Sequence, residues 1–370
     1  MTRSQFYRLL AVLVPFVLVF SGNAVASSCN SSFYSQYDSC KLNSSFCSPY
    51  SSPEEFAAAH PNCFPGSSST SQAQVSSSSF VQIAANSTAV LSRMLSEAGS
   101  LLTSSAPVQG MAAGGKTPWN VWGNVTQNDT RQSFQIGINS IRHDLDVTNA
   151  VIGVDYAIAP GMVLGMSGAF DRGSGNTQPT AAAAWQGSTV KGYSFAPYLG
   201  YQISKELAFD ASVGLGSGKT STAGGVDSEG DRVFFAANLR YAKWFKEVQV
   251  TGKVGYLHGE EKFSDTKVNG ATMAGTAQKN KLDRFQFGAQ VAYWMGNGMQ
   301  PYAGLSYMTD GRSSSAGGVD PVGKNAWQWA LGVNFFSLSS GVNGGIAFTQ
   351  EEGRTNQKNN ALTANIGLRF

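Results

Sequence analysis

At 370 residues with a net charge of +3, the chain is long enough for two or three domains and carries no basic block to suggest a nucleic-acid partner. Only 13% of its residues are charged and 42 are glycine, which leans toward an all-β protein. The mean hydropathy of −0.14 excludes neither a soluble chain nor a barrel whose strands face lipid on one side only.

Arg3 and Arg8 precede an apolar run from Leu9 to Phe20, and Ala24-Val25-Ala26 follows. This is the order of a secretory signal peptide, residues 1–26, with cleavage expected after Ala26. The run is short for a transmembrane helix of about 20 residues, and nothing after Phe20 stays apolar for as long. Residues 27–79 are rich in Ser, Asn, Tyr and Pro and carry Cys29, Cys40, Cys47 and Cys63. In an exported chain two disulfides are expected, in any of three connectivities. No CxxC or neighbouring His pair points to a metal. Ser67 to Ser79 has too few apolar residues to pack and reads as a linker.

Residues 80–115 read as a helix and its linker. Phe80, Ile83, Val90, Leu91, Met94, Leu95, Ala98 and Leu102 recur at helical spacing, opposite a polar stripe of Gln82, Asn86, Arg93 and Glu97. At 1.5 Å per residue such a helix is ~35 Å long, enough to thread a hydrocarbon layer of ~30 Å. It can pack on a domain or a partner, or lie inside a pore. Gly110 to Thr117, GMAAGGKT, spells a phosphate-binding loop, but it follows a helix and runs through Pro118 into a strand, the wrong context for that chemistry.

From residue 116 to 370 the pattern is alternation broken by turns. Twelve apolar-facing sets succeed one another, among them Trp119-Val121-Val125, Ile152-Val154-Tyr156-Ile158, Phe285-Phe287-Val291-Tyr293 and Trp327-Trp329-Leu331-Val333-Phe335. The twelfth is Leu362, Ala364, Ile366, Leu368 and Phe370. Between them stand small and polar residues: Asp155, Ser167, Asp171, Lys191, Asn238, Arg240, Lys253, Arg284, Gln286, Gln328 and Arg369. A sandwich would show the same alternation, so loop lengths decide. Short turns (Ala159–Gly161, Ser204–Glu206, Lys243–Glu247, Gly296–Met299, Ser337–Gly341) alternate with long hydrophilic stretches (Asn128–Asn149, Arg172–Thr189, Gly216–Asp231, His258–Lys281, Thr309–Lys324). Trp and Tyr gather toward strand ends, including Trp119, Trp122, Tyr241, Trp244, Tyr256 and Trp327, as interfacial girdles require. These features predict a twelve-stranded antiparallel transmembrane β-barrel, closed so that no backbone edge lies bare in hydrocarbon.

The segments GVDYAIAPGMVLGMSGAF (Gly153 to Phe170), QPYAGLSY (Gln300 to Tyr307), TPWNVWGNV (Thr117 to Val125) and the closing GLRF, after a helix, resemble the translocator domain of monomeric autotransporters over roughly residues 80 to 370. The resemblance implies a monomeric barrel in the bacterial outer membrane, with lipid and the barrel-assembly machinery as partners. Ile366, Leu368 and Phe370 would be the assembly signal. The helix would sit in the lumen, with room left by Gly165, Ser167, Ala169, Gly288 and Gly332. There its polar stripe, Asn86, Arg93 and Glu97, would meet inward Asp155, Arg240 and Arg284. Residues 27–79 would be a short passenger displayed at the cell surface. A porin-like channel without secretion activity is the alternative. Some family members cleave their passenger between paired Asn; the helix here has Asn86 alone, so no cleavage is expected. No enzyme, cofactor or metal is expected: His60, His143 and His258 stand outside any catalytic string, and Glu260 and Glu261 near His258 read as a solvated cluster.

Overall fold

The structure, a computed structural model, describes residues 118–136, 139–178, 184–223, 225–315, 322–337 and 341–369. The signal peptide, the four cysteines, the helix with Asn86, Arg93 and Glu97, the phosphate-loop string and Phe370 lie outside the described residues.

Alternation turns into strands throughout. In chain order they are β1 (Trp119–Ile136), β2 (Asn139–Ala159), β3 (Met162–Gln178), β4 (Gln186–Gln202), β5 (Leu207–Thr222), β6 (Val226–Phe245), β7 (Val248–Phe263), β8 (Lys267–Val268), β9 (Ala271–Thr272), β10 (Gln278–Tyr293), β11 (Met299–Ser314), β12 (Asn325–Phe336), β13 (Val342–Glu352) and β14 (Gln357–Arg369). β8 and β9 form a small hairpin against the tip of β6, turning at Asn269 and Gly270, both at positive φ (49° and 84°) as a tight Asn-Gly hairpin needs. The other twelve close a barrel. Each pairs antiparallel with its neighbours, and the ring is sealed by β1 on β14, from Asn120↔Arg369 to Gln132↔Gln357.

One face of every barrel strand is apolar and exposed: Ile152 is 63% accessible, Phe170 62%, Ile366 57% and Leu331 54%. A continuous belt of this kind cannot face water, and each side chain in it follows the period-two sets read from the sequence. The opposite parity points inward and is largely polar, including Asn120, Asn124, Asp155, Ser167, Asp171, Gln249 and Gln300, all buried.

Three expectations need correction. The long hydrophilic stretches are mostly strand, not loop: β2 runs for 21 residues and β6 for 20, against the ~10 that cross a bilayer. On β1 the outward residues change from Trp119, Val121 and Val125 to Gln127, Asp129 and Arg131, so the upper half of the wall stands in water. Outside hydrocarbon both faces of a strand are wetted, and the alternation that marks a strand fades. Second, Trp122 and Trp244 do not belong to the girdle. Trp122 is buried in the lumen wall, and Trp244 shares the inward parity of Arg240 and Ala242. Third, Lys191 has the parity of Tyr193 and Phe195 and faces outward.

The short turns lie at the rim where β1 begins and β14 ends; the tall extensions lie at the other. Short periplasmic turns and long outer connections orient such a barrel, so the tall rim is the outer one.

Candidate functional site

The lumen is where this wall can act, and its side chains fall into an inner and an outer tier. In the inner tier, Trp122 donates its indole N–H to the Tyr198 hydroxyl at 2.8 Å, and Tyr198 donates to Asp155 Oδ2 at 2.9 Å. Asn120 donates to the same carboxylate oxygen at 3.4 Å. Two glycines make the arrangement possible. A Cβ on Gly153 would lie 2.3 Å from the Trp122 ring, and one on Gly165 would lie 2.3 Å from Cζ of Tyr198. Gly332 likewise accommodates Tyr302, where a Cβ would approach Cζ to 2.5 Å. The space beside Gly165 and Gly332, expected to leave room for a helix, is filled by wall aromatics. Elsewhere Asn238 bonds Asp210 on the neighbouring strand at 2.7 Å, and Gln300 on β11 bonds Gln249 on β7 at 3.2 Å, past the intervening β10.

The outer tier is ionic and lies level with the upper edge of the apolar belt. Arg232 on β6 reaches Asp171 on β3 at 3.1 Å and Glu261 on β7 at 3.0 Å. Asn149 donates to the other oxygen of Asp171. Since β4 and β5 separate β3 from β6, the first of these contacts is a chord across the lumen rather than a bond along the wall. A second cluster centres on Asp310 of β11. Arg284 binds it in bidentate fashion at 2.8 and 2.9 Å, Arg312 at 2.9 Å and Arg354 at 3.0 Å. Arg354 comes from the β13–β14 connection, turned inward; it also holds Glu351 at 2.7 Å and the Gly323 carbonyl at 2.8 Å. Charges removed from water must be paired, and bidentate guanidinium–carboxylate geometry is the strongest pairing available to them. Between the tiers Ala196, Phe234, Ala236, Leu257 and Leu282 form an apolar patch facing inward.

Of the lumen residues named from sequence, Asp155 is buried and bonded within the inner tier, Arg284 is held by Asp310, and Arg240 lies on the inward parity of β6 beside Asn238. Whether Arg93 or Glu97 meets them lies outside the described residues. Arg232, Asp310, Arg312 and Arg354 were missed, and Glu261, read from the sequence as part of a solvated cluster, is instead buried in the lumen against Arg232. Arg232, Glu261, Asp310 and Arg312 share parity with the inward set and Arg354 lies in a turn, but nothing in a single strand says which of them face one another. His143 is buried against Thr177 at 2.8 Å, while His258 faces outward onto Asp283 at 2.7 Å. Among the described residues no group of His, Cys, Asp and Glu is arranged to hold a metal ion.

A family profile described as Autotransporter beta-domain matches residues 121–349. The chain belongs to that family. No curated protein sequence matches it. Among solved structures, the translocator domain of the autotransporter NalP from Neisseria meningitidis is similar at 13% identity and a TM-score of 0.55, covering 78% of this chain and 99% of that one. The β domain of the Bordetella autotransporter Brka is similar at 15% identity and a TM-score of 0.51, covering 68% of this chain and all of that one. At such identities the likeness is one of fold: a closed twelve-stranded barrel. As an autotransporter β-domain, the barrel sits in the bacterial outer membrane and serves as a translocator unit. The two lumen tiers are the polar lining of that translocator.

Proposed function

We propose that this translocator passes and displays the short segment 27–79 at the cell surface, with residues 80–102 threading the lumen as a helix. The observation that carries the reading is the position of β1. Trp119 stands at the inner rim, where Asn120 pairs with Arg369, so a chain arriving there from the surface must come down through the barrel. The polar lining supports this, because a segment in transit needs hydrogen-bonding partners along its path. The barrel acts by anchoring and conduction, without catalysis. Its outward belt takes outer-membrane lipid as partner, it works as a monomer, and Ile366, Leu368 and Phe370 serve the assembly machinery as its recognition strand. Ile366 and Leu368 are exposed on the outward face of β14, available to be read before insertion.

Protease applied to intact cells, with an epitope placed in residues 67–79, tests the reading. Loss of the epitope while the barrel stays intact is the expected result; full protection of the epitope in intact cells and digestion only after lysis would overturn it.

A further inference from the structure

Lys191, misplaced by the sequence pattern, is part of a row. Arg172 on β3, Lys191 on β4 and Lys219 on β5 are direct cross-strand partners, Arg172↔Lys191 and Lys191↔Lys219, all on the outward face. Like charges set directly opposite one another destabilise a sheet unless something neutral or negative intervenes. Lys219 has its own answer, ion pairs to Asp227 at 3.1 Å and Glu229 at 3.0 Å on β6. Arg172 and Lys191 are exposed and form no ion pair with a described residue. Elsewhere on the outer wall a similar basic group is matched: Lys262, Lys279 and Lys281 surround Glu260.

The height of the row is informative. One pleat below it stand Phe170 and Tyr193, themselves cross-strand partners and 62% and 61% accessible, at the upper edge of the belt. One pleat above it stand Ser174 and Thr189, again partners, with Ser221 beside them. From hydrocarbon outward the wall therefore offers an apolar row, a cationic row and a hydroxyl row. A phosphorylated glycolipid has the same sequence of chemistry: acyl chains, phosphate, sugar.

We infer that Arg172 and Lys191, on the Phe170–Tyr193 shelf, bind the phosphate of an outer-leaflet glycolipid. The guanidinium of Arg172 offers a planar fork to two phosphate oxygens and the Lys191 ammonium adds a second charge, while the rings below pack on the acyl chains. The bound phosphate cancels the repulsion between the two cations, so this lipid also pins β3 to β4 at the membrane surface.

The test uses the full chain, purified in zwitterionic detergent and titrated with bis-phosphorylated lipid A, its dephosphorylated form, phosphatidylglycerol and inorganic phosphate, with retained lipid read by native mass spectrometry. R172S/K191S should weaken lipid A retention about tenfold or more, given the pull of two cations near a charged surface, while K279S/K281S changes it less than about twofold. Dephosphorylated lipid A should bind the wild type as poorly as lipid A binds the double variant, and millimolar phosphate should compete. Equal retention by the wild type and the double variant, with heat-modifiable gel migration confirming both barrels folded, overturns the inference. So does phosphatidylglycerol binding as tightly as lipid A, which would leave a generic anionic surface, or inorganic phosphate bound with no lipid selectivity at all.

Discussion

Replacing Asp310 with Asn removes the anion at the centre of the larger lumen cluster. Three guanidiniums, from Arg284, Arg312 and Arg354, converge on its carboxylate within 3.0 Å, and the side chains of Asp310 and Arg354 are fully shielded from solvent. Three cations stand against two anions, Asp310 and Glu351, so the cluster carries +1; in D310N three stand against one and it carries +2. Breaking a buried pair by removing one partner costs about 3–5 kcal/mol, because the remaining charge is stranded out of water. The Asn oxygen still accepts one hydrogen bond, which places the expected loss near the lower figure. With urea slopes of about 1–3 kcal/mol per molar, the unfolding midpoint in lipid vesicles should fall by about 1–3 M. Glu352→Gln, on an exposed carboxylate bonded to Gln350, is the matched control and should not move it. A D310N midpoint within about 0.3 M of wild type would refute the reasoning: the lumen would be wet enough at this level to solvate the freed guanidiniums.

Leu331→Lys puts a charge at mid-belt on β12 and should cost about 2–4 kcal/mol in bilayer folding titrations, whereas Gln328→Lys, on the inward face of the same strand, should cost little. Gly165→Ala drives a methyl group to 2.3 Å from the Tyr198 ring, so the Tyr198–Asp155 bond must open. A stability loss of about 1–3 kcal/mol and a changed near-ultraviolet circular dichroism signal from Trp122 and Tyr198 are expected, and an unchanged spectrum would count against the packing described. Deleting residues 80–102 should raise single-channel conductance if the helix threads the lumen; equal conductance of the two barrels would place the helix elsewhere.

The lipid-facing half of this fold is written plainly in the sequence. Ile152, Val154, Tyr156 and Ile158, or Leu362, Ala364, Ile366 and Leu368, alternate against polar neighbours because one side meets hydrocarbon and the other a polar lumen. The pattern weakens wherever that contrast does. Above the membrane Asn128 to Asn149 looks like a loop, yet its described residues are the paired upper halves of β1 and β2. Phe234 and Phe235 are consecutive, and the alternation of Val233, Phe235, Leu239 and Tyr241 already turns the second outward and the first inward, where it lies buried in the apolar patch. Trp122 fitted a girdle by its type, but its parity belongs to Asn120 and Asn124. The lumen clusters were least legible. Arg232, Asp171 and Glu261 meet through a register spanning strands far apart in sequence, and composition carries no trace of that register.

The seam between β1 and β14 also sets the order of events in folding. Thr126 touches Thr363 at 3.1 Å across 237 residues of chain, and the pairing runs the length of β14. Such distant contacts are the slowest to form, since nearly the whole loop must close before the first of them is rewarded. Until β14 arrives, β1 has a row of open donors and acceptors beside exposed Val121 and Val125, a template for any stray strand. The hazardous interval for this molecule is therefore the time between making its first strand and its last, and any agent that shortens or shields that wait governs the yield of finished barrels.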